Sequence, residues 1–142
     1  MSMKKIHELE VKAFSQLTNK QRYNYFVTKV FEWKSVWGLA DQDGWVVTEM
    51  SEDIIFPLWP AEPFAEKCQI NDWQQTQTKE IEFDELINVV LPDLAEDNVK
   101  VATFIVPGSD QCGVLPAQEL LNDFLTLQEQ EKSKEANDAS SE

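Results

Sequence analysis

An α+β fold is the class this sequence predicts, and three observations carry it. Apolar residues recur at three- and four-residue spacing near the start of the chain, around Leu86 and around Leu120, which is the period of amphipathic helices. From Val36 to Leu58 the period shortens to brief runs of β-formers broken by polar turns. Helices and strands do not alternate regularly, and no internal repeat is visible. The expected architecture is therefore an N-terminal helical hairpin, an antiparallel β-sheet with a meander, and further helices packed on that sheet.

Ile6, Leu9, Ala13 and Leu17 lie on one face of the first predicted helix. Thr18 and Gln21 form a T-x-x-Q capping box that starts a second, with Tyr23, Phe26, Val27, Val30, Trp33 and Lys34 on one side. Basic residues are expected largely on the outer faces of this pair. A hairpin follows, Val36 to Leu39 and Trp45 to Glu49, around Ala40-Asp41-Gln42-Asp43-Gly44, where Gly44 can take positive φ. An even loop length sets Trp37 and Trp45 on opposite faces of the sheet, and an odd one sets them together.

Ile54 to Leu58 reads as a third strand. Trp59-Pro60-Ala61-Glu62-Pro63 breaks it, and Phe64, Ala65 and Cys68 continue as a short helix. Glu80 to Phe83 is a brief strand, and Leu86, Ile87, Val90, Leu91 and Leu94 form a helix that Pro92 ends or kinks. Lys100 to Val106 has the unbroken β-forming character of a central strand covered on both faces. Pro116 opens a final helix carrying Leu120, Leu121, Phe124 and Leu127. These elements predict a single domain over residues 1–128. Beyond it, "EQEKSKEANDASSE" has no apolar residue larger than alanine to offset the entropy of ordering, so 129–142 reads as a disordered acidic tail.

Composition narrows the function classes. The 142 residues are 42% hydrophobic and 11% aromatic, with only 4 Gly and 6 Pro, which is the balance of a globular chain with one core. Net charge is −14, and residues 1–34 carry seven Lys or Arg against three Glu, a net +4 that leaves −18 for the remainder. So acidic a chain repels phosphate backbones and anionic lipid, which argues against nucleic acid and membrane as partners. No apolar run reaches the length of a membrane span, and Cys68 and Cys112 form no C-x-x-C pair. Free, buried thiols and a cytoplasmic location are expected.

Candidate chemistry is sparse. His7 is the only histidine and sits on a basic helix, which disfavours a Ser-His-Asp or Cys-His site. The four glycines fit neither phosphate-loop pattern, and no cofactor is indicated. Asp41-Gln42-Asp43-Gly44 looks like a calcium loop only superficially, because Leu39 and Met50 would occupy its first and last ligand positions. Glu49, Glu52 and Asp53 read as solvated turn residues. No catalytic or metal-binding residue is assigned.

All five tryptophans fall between Trp33 and Trp73. Trp33 extends a helix face and is expected in the core. Trp37, Trp45, Trp59 and Trp73 are not placed by period. Trp37, Asp41, Asp43, Trp45 and Trp59 are the candidate ligand- or partner-binding residues, with Trp59 expected to line a cleft at the end of its strand.

The succession "RYNYF" from Arg22, "VWGLADQDGWVV" from Val36, "FPLWPAEPFAEKC" from Phe56, Trp73, "VLPDL" from Val90 and "KVATFIVP" from Lys100 resembles a bacterial family catalogued as domain of unknown function 2750. The likeness covers about Gln21 to Leu125. It implies a compact, soluble α+β domain and brings no activity, cofactor or catalytic residue with it.

Two functional readings compete, with a third behind them. A non-catalytic interaction or regulatory domain would use its acidic surface to steer a basic protein partner. A small-ligand-binding or enzymatic domain would use a tryptophan-lined cleft near Trp37, Trp45 and Trp59, with Asp41 or Asp43 orienting a polar ligand. Mimicry of nucleic acid needs carboxylates spaced like phosphates over a long surface.

Overall fold

The structure, a computed structural model, describes residues 17–106 and 113–140. The first predicted helix, His7, Cys112, Pro107 and Gly108 lie outside those residues, so the helical hairpin is seen through its second member only.

That helix, α1 (Asn19–Trp33), begins as its sequence dictates. The Thr18 hydroxyl accepts from the Gln21 amide at 3.1 Å, and the Gln21 side chain accepts from the Thr18 amide at 2.9 Å. Phe26 and Val30 are fully buried, each contributing about 1.5–3 kcal/mol through burial. Arg22 is also buried, an exception to the expected outer placement of basic residues, and its Nη2 donates to Asn19 at 3.1 Å. Lys34 closes the helix in the left-handed conformation, its amide donating to the Val30 carbonyl.

Strand β1 (Ser35–Asp41) follows at once and turns back into β2 (Gly44–Trp45), pairing Ala40 with Trp45 and Asp41 with Gly44. Gly44 has φ of 121°, the positive value its turn position requires. Two residues lie between the strands, so Trp37 and Trp45 point to opposite faces. The chain then changes partner. β3 (Thr48–Met50) pairs with β4 (Asp53–Leu58), and β4 runs on until Trp59 exchanges two backbone hydrogen bonds with Trp37, both 2.8 Å. This bridge joins a three-stranded sheet to a four-stranded one.

The short helix α2 (Glu62–Glu66) places Phe64 and Ala65 in the core. After a 3-10 turn at Asn71–Trp73, β5 (Gln77–Glu82) pairs antiparallel with β1 from Ser35 to Ala40 and forms an edge of the sheet. The helical segment beyond it comprises α3 (Phe83–Glu85), a π turn (Leu86–Val90) and α4 (Leu91–Glu96). Pro92 does not end this segment. Its ring would meet the carbonyl four residues back in a regular helix, and the chain widens just before it, with the Leu91 amide donating to Leu86.

Strand β6 (Lys100–Thr103) is central and buried, as its composition predicts, but it is shorter than the β-forming run and its pairing with β4 is parallel. The sheet is thus mixed, not wholly antiparallel. Phe104 ends the strand by adopting φ of 67° while fully buried, with its amide donating to Leu58 at 2.8 Å. The sequence reading missed β7 (Gly113–Pro116), which pairs antiparallel with β6; Pro116 closes that strand, and α5 (Ala117–Ser140) starts one residue later. Tyr23 on α1 donates to the Asp123 carboxylate on α5, and desolvation with that bond holds the phenol well above its ordinary range.

The segment expected to be a disordered acidic tail continues as helix to Ser140. Its Glu, Gln and Lys content has high intrinsic helix propensity and extends a helix already nucleated by the packed turns around Leu120 and Phe124.

Candidate functional site

The five candidate residues do not converge on one cleft. Trp59 is 0% exposed and its Nε1 donates to the Ile105 carbonyl at 2.8 Å. It belongs to the core, which corrects the expectation that it lines a cleft. The reason is topological: the end of β4 is held on one side by Trp37 and on the other by the Phe104 amide. Trp37 is half-buried, and its Nε1 is buried without a hydrogen-bond partner among the described residues.

Trp45 is half-buried on the opposite face, packed across Gly38 and 5.6 Å from Phe56 between ring centres. The Lys79 ammonium stands 5.0 Å from its ring centre. Asp41 and Asp43 are exposed, and the Asp41 carboxylate accepts from the Asp43 amide at 2.9 Å, an Asx turn at the hairpin tip. With Gln42, Gln75, Gln77 and Lys79 they line an open polar trough of about 800 Å³. The structure therefore groups Asp41 and Asp43 with Lys79 and leaves Trp37 and Trp59 elsewhere.

Two other hollows were not anticipated. Glu80, Glu82 and Asp84, all exposed, line a groove of about 460 Å³ along edge strand β5, together with Trp33, Ser35 and Phe83. Its cation, Lys34, lies over aromatic rings, its ammonium 3.6 Å from the centre of Phe31 and 4.8 Å from that of Phe83. The two-residue spacing of Glu80 and Glu82 was the available signal, since it places both on one face of a strand. The second hollow, about 260 Å³, lies between Ile105 and the turn Asn71–Trp73, lined also by Thr48, Cys68 and Ile70. Nothing in the linear order brings Ile105 beside Asp72.

Cys68 sits at the base of the second hollow. Its thiol donates to the Ile105 carbonyl at 3.3 Å, and burial pushes it up to about 12, so it stays protonated at neutral pH and lacks thiolate character. In the other acidic cluster, Asp53 forms a 2.9 Å ion pair with Lys100 beside the β3–β4 turn. Among the described residues, no three His, Cys, Asp or Glu side chains come together in a group that could hold a metal ion. Nor is any helix among them long and apolar enough to cross a membrane.

These features define a mixed α+β domain with two bridged sheets, an acidic groove at one edge and a small hollow beside Trp73. Residues 23–124 match the family described as Protein of unknown function (DUF2750), and the chain belongs to that family. Comparison with curated proteins finds no match.

Proposed function

We propose that this protein is a non-catalytic interaction domain that takes a basic protein partner along the edge of β5. The observation that carries this reading is the groove beside that strand, where Glu80, Glu82 and Asp84 stand exposed and Lys34 is engaged with aromatic rings. An edge strand offers backbone donors and acceptors to an extended segment, and the carboxylates select Lys and Arg on it. The net charge of −14 adds long-range attraction for such a partner. Cys68 supports the non-catalytic reading, because a protonated, buried thiol is no nucleophile. A free thiol in place of a disulfide is also consistent with a cytoplasmic setting.

Fluorescence anisotropy with a labelled extended peptide alternating Lys and Val tests the proposal directly. Binding should weaken steeply as salt rises, and the double variant Glu82→Lys, Asp84→Lys should bind at least about tenfold more weakly. The same variant should lose a basic partner recovered from cells by the unaltered protein. Equal affinity of the two proteins for the peptide would defeat the proposal.

A further inference from the structure

The hollow beside Trp73 is small, preformed and chemically lopsided. Its apolar surface comes from Trp73, Ile70, Ile105 and Cys68, and its polar surface from Thr48, Asn71 and Asp72. No hydrogen bond or ion pair within the protein engages the side chains of Thr48, Asn71 or Asp72 among the described residues. Three polar groups without partners among the described residues thus border one apolar space.

The walls are fixed before anything binds. The Ile105 carbonyl accepts from both the Trp59 indole at 2.8 Å and the Cys68 thiol at 3.3 Å, which anchors the base. The loop opposite is tied by Gln69 donating to the Thr76 carbonyl and Thr76 donating to the Trp73 carbonyl, both at 2.6 Å. Asn71, at φ of 53°, makes the left-handed turn that brings Asp72 and Trp73 to the rim. Trp73 is held edge-on to the buried Trp59, with ring centres 6.1 Å apart. A site built this way loses little entropy on binding.

From these contacts we infer that the hollow binds a small organic ammonium compound, an apolar body of roughly six to ten non-hydrogen atoms carrying one positive charge, the size that about 260 Å³ admits. The sign of the charge follows from the lining, in which Asp72 is the one charged side chain among the described residues. An anion would be repelled by that carboxylate and by the net charge of −14, and a neutral ligand would leave the carboxylate partly desolvated and uncompensated. A cation gains the carboxylate, the Thr48 hydroxyl and the Asn71 amide oxygen as acceptors, while its body covers Ile70 and Ile105 beside the Trp73 ring. Binding is non-covalent, because the Cys68 thiol is committed as a donor.

Hexylamine, hexan-1-ol and hexanoate, alike in body and different in charge, provide the test when titrated into isotope-labelled full-length protein. The readouts are the Trp73 indole resonance and calorimetry. Hexylamine should saturate that resonance with millimolar or tighter affinity, the alcohol should bind at least about threefold more weakly, and the carboxylate should not saturate. Asp72→Asn, at an exposed position, should keep the fold and weaken hexylamine about threefold to fivefold, whereas Glu82→Lys in the acidic groove should leave its affinity unchanged. Trp73→Leu should reduce binding of both amine and alcohol. Equal affinity for hexylamine and hexan-1-ol, an unaltered affinity in Asp72→Asn, or no saturable response to hexylamine would each overturn the assignment.

Discussion

Gly38→Ala sets two physical effects of opposite sign against each other. Gly38 lies in the interior of β1, where its φ is compatible with any residue, so alanine should gain about 0.5–1 kcal/mol by restricting the unfolded chain. Against this, a Cβ at position 38 would stand 3.0 Å and 3.3 Å from Trp45 ring carbons and 3.8 Å from Phe56. The first two distances are too short, and the indole must move by a few tenths of an ångström. That ring is not free to move, being packed on Phe56 with Lys79 beside it, so the overpacking cost of about 1–3 kcal/mol applies. The expected net loss is about 1 kcal/mol, measured as a lower urea midpoint at unchanged slope. In a Trp45→Leu background the clash disappears, and the same alanine should stabilise by about 0.5–1 kcal/mol. The double-mutant cycle should therefore show a coupling of about 1–3 kcal/mol. A neutral or stabilising Gly38→Ala in the unaltered protein, or additivity between the two substitutions, would refute the argument that Trp45 requires glycine beneath it.

Three further outcomes are expected. Burial raises the Cys68 thiol from 9.0 to about 12, so the native state keeps its proton while the unfolded chain ionises; the associated stability is intact below pH 9 and falls between pH 9 and 12, with a slope approaching 1.4 kcal/mol per pH unit. Cys68→Ala should flatten that slope in denaturation curves between about pH 9 and 11, and an unchanged slope would contradict it. The Thr103 hydroxyl is buried without a partner among the described residues, so Thr103→Val should stabilise by about 1 kcal/mol in thermal melts, and a destabilised variant would show that the hydroxyl is satisfied. The helix α5 is exposed from Glu129 through Lys134, so removing residues 129–142 should change stability by less than about 0.5 kcal/mol while lowering helical ellipticity, and a larger loss would reveal contacts from that segment.

What the sequence revealed and what it concealed divide along physical lines. Local chemistry was legible: the Thr18–Gln21 capping box, the positive φ of Gly44, the buried stripe of Phe26 and Val30, and the central strand at Lys100 all depend on neighbouring residues. Non-local choices were not. The parity of the Trp37–Trp45 hairpin turned on one loop residue, and the parallel pairing of β4 with β6 depends on a crossover that no periodicity records. β7 carries no strand signal because its four residues include a glycine and a proline. The core position of Trp59 has no local signal, because a tryptophan between leucine and proline looks alike at a cleft and in a core. Only the approach of Ile105 decides between them, and Ile105 is 46 residues away.

The same contact explains what the family motifs are for. Trp59 comes from the "FPLWPAEPFAEKC" segment, and so does Cys68; Ile105 comes from "KVATFIVP"; Trp37, whose backbone pairs with Trp59, comes from "VWGLADQDGWVV". Two separated segments thus meet at the Ile105 carbonyl and a third joins them through the backbone of Trp59, with the left-handed turn at Phe104 following β6 and preceding Ile105. Such a junction constrains sequence for reasons of packing and hydrogen bonding, so the identity of the motifs by itself is no guide to chemistry. Yet Ile105 and Cys68 also form the base of the ammonium hollow, and Trp73 packs edge-on against Trp59 at its rim. Replacing Trp59 with Phe should separate the two roles. The Ile105 carbonyl keeps the Cys68 donor but loses the stronger one, so the fold should survive with a loss of about 1–2 kcal/mol, while hexylamine binding should weaken because the base is less firmly placed. If stability falls by that amount and amine affinity does not change, the junction serves the fold alone and the hollow is held by its outer loop.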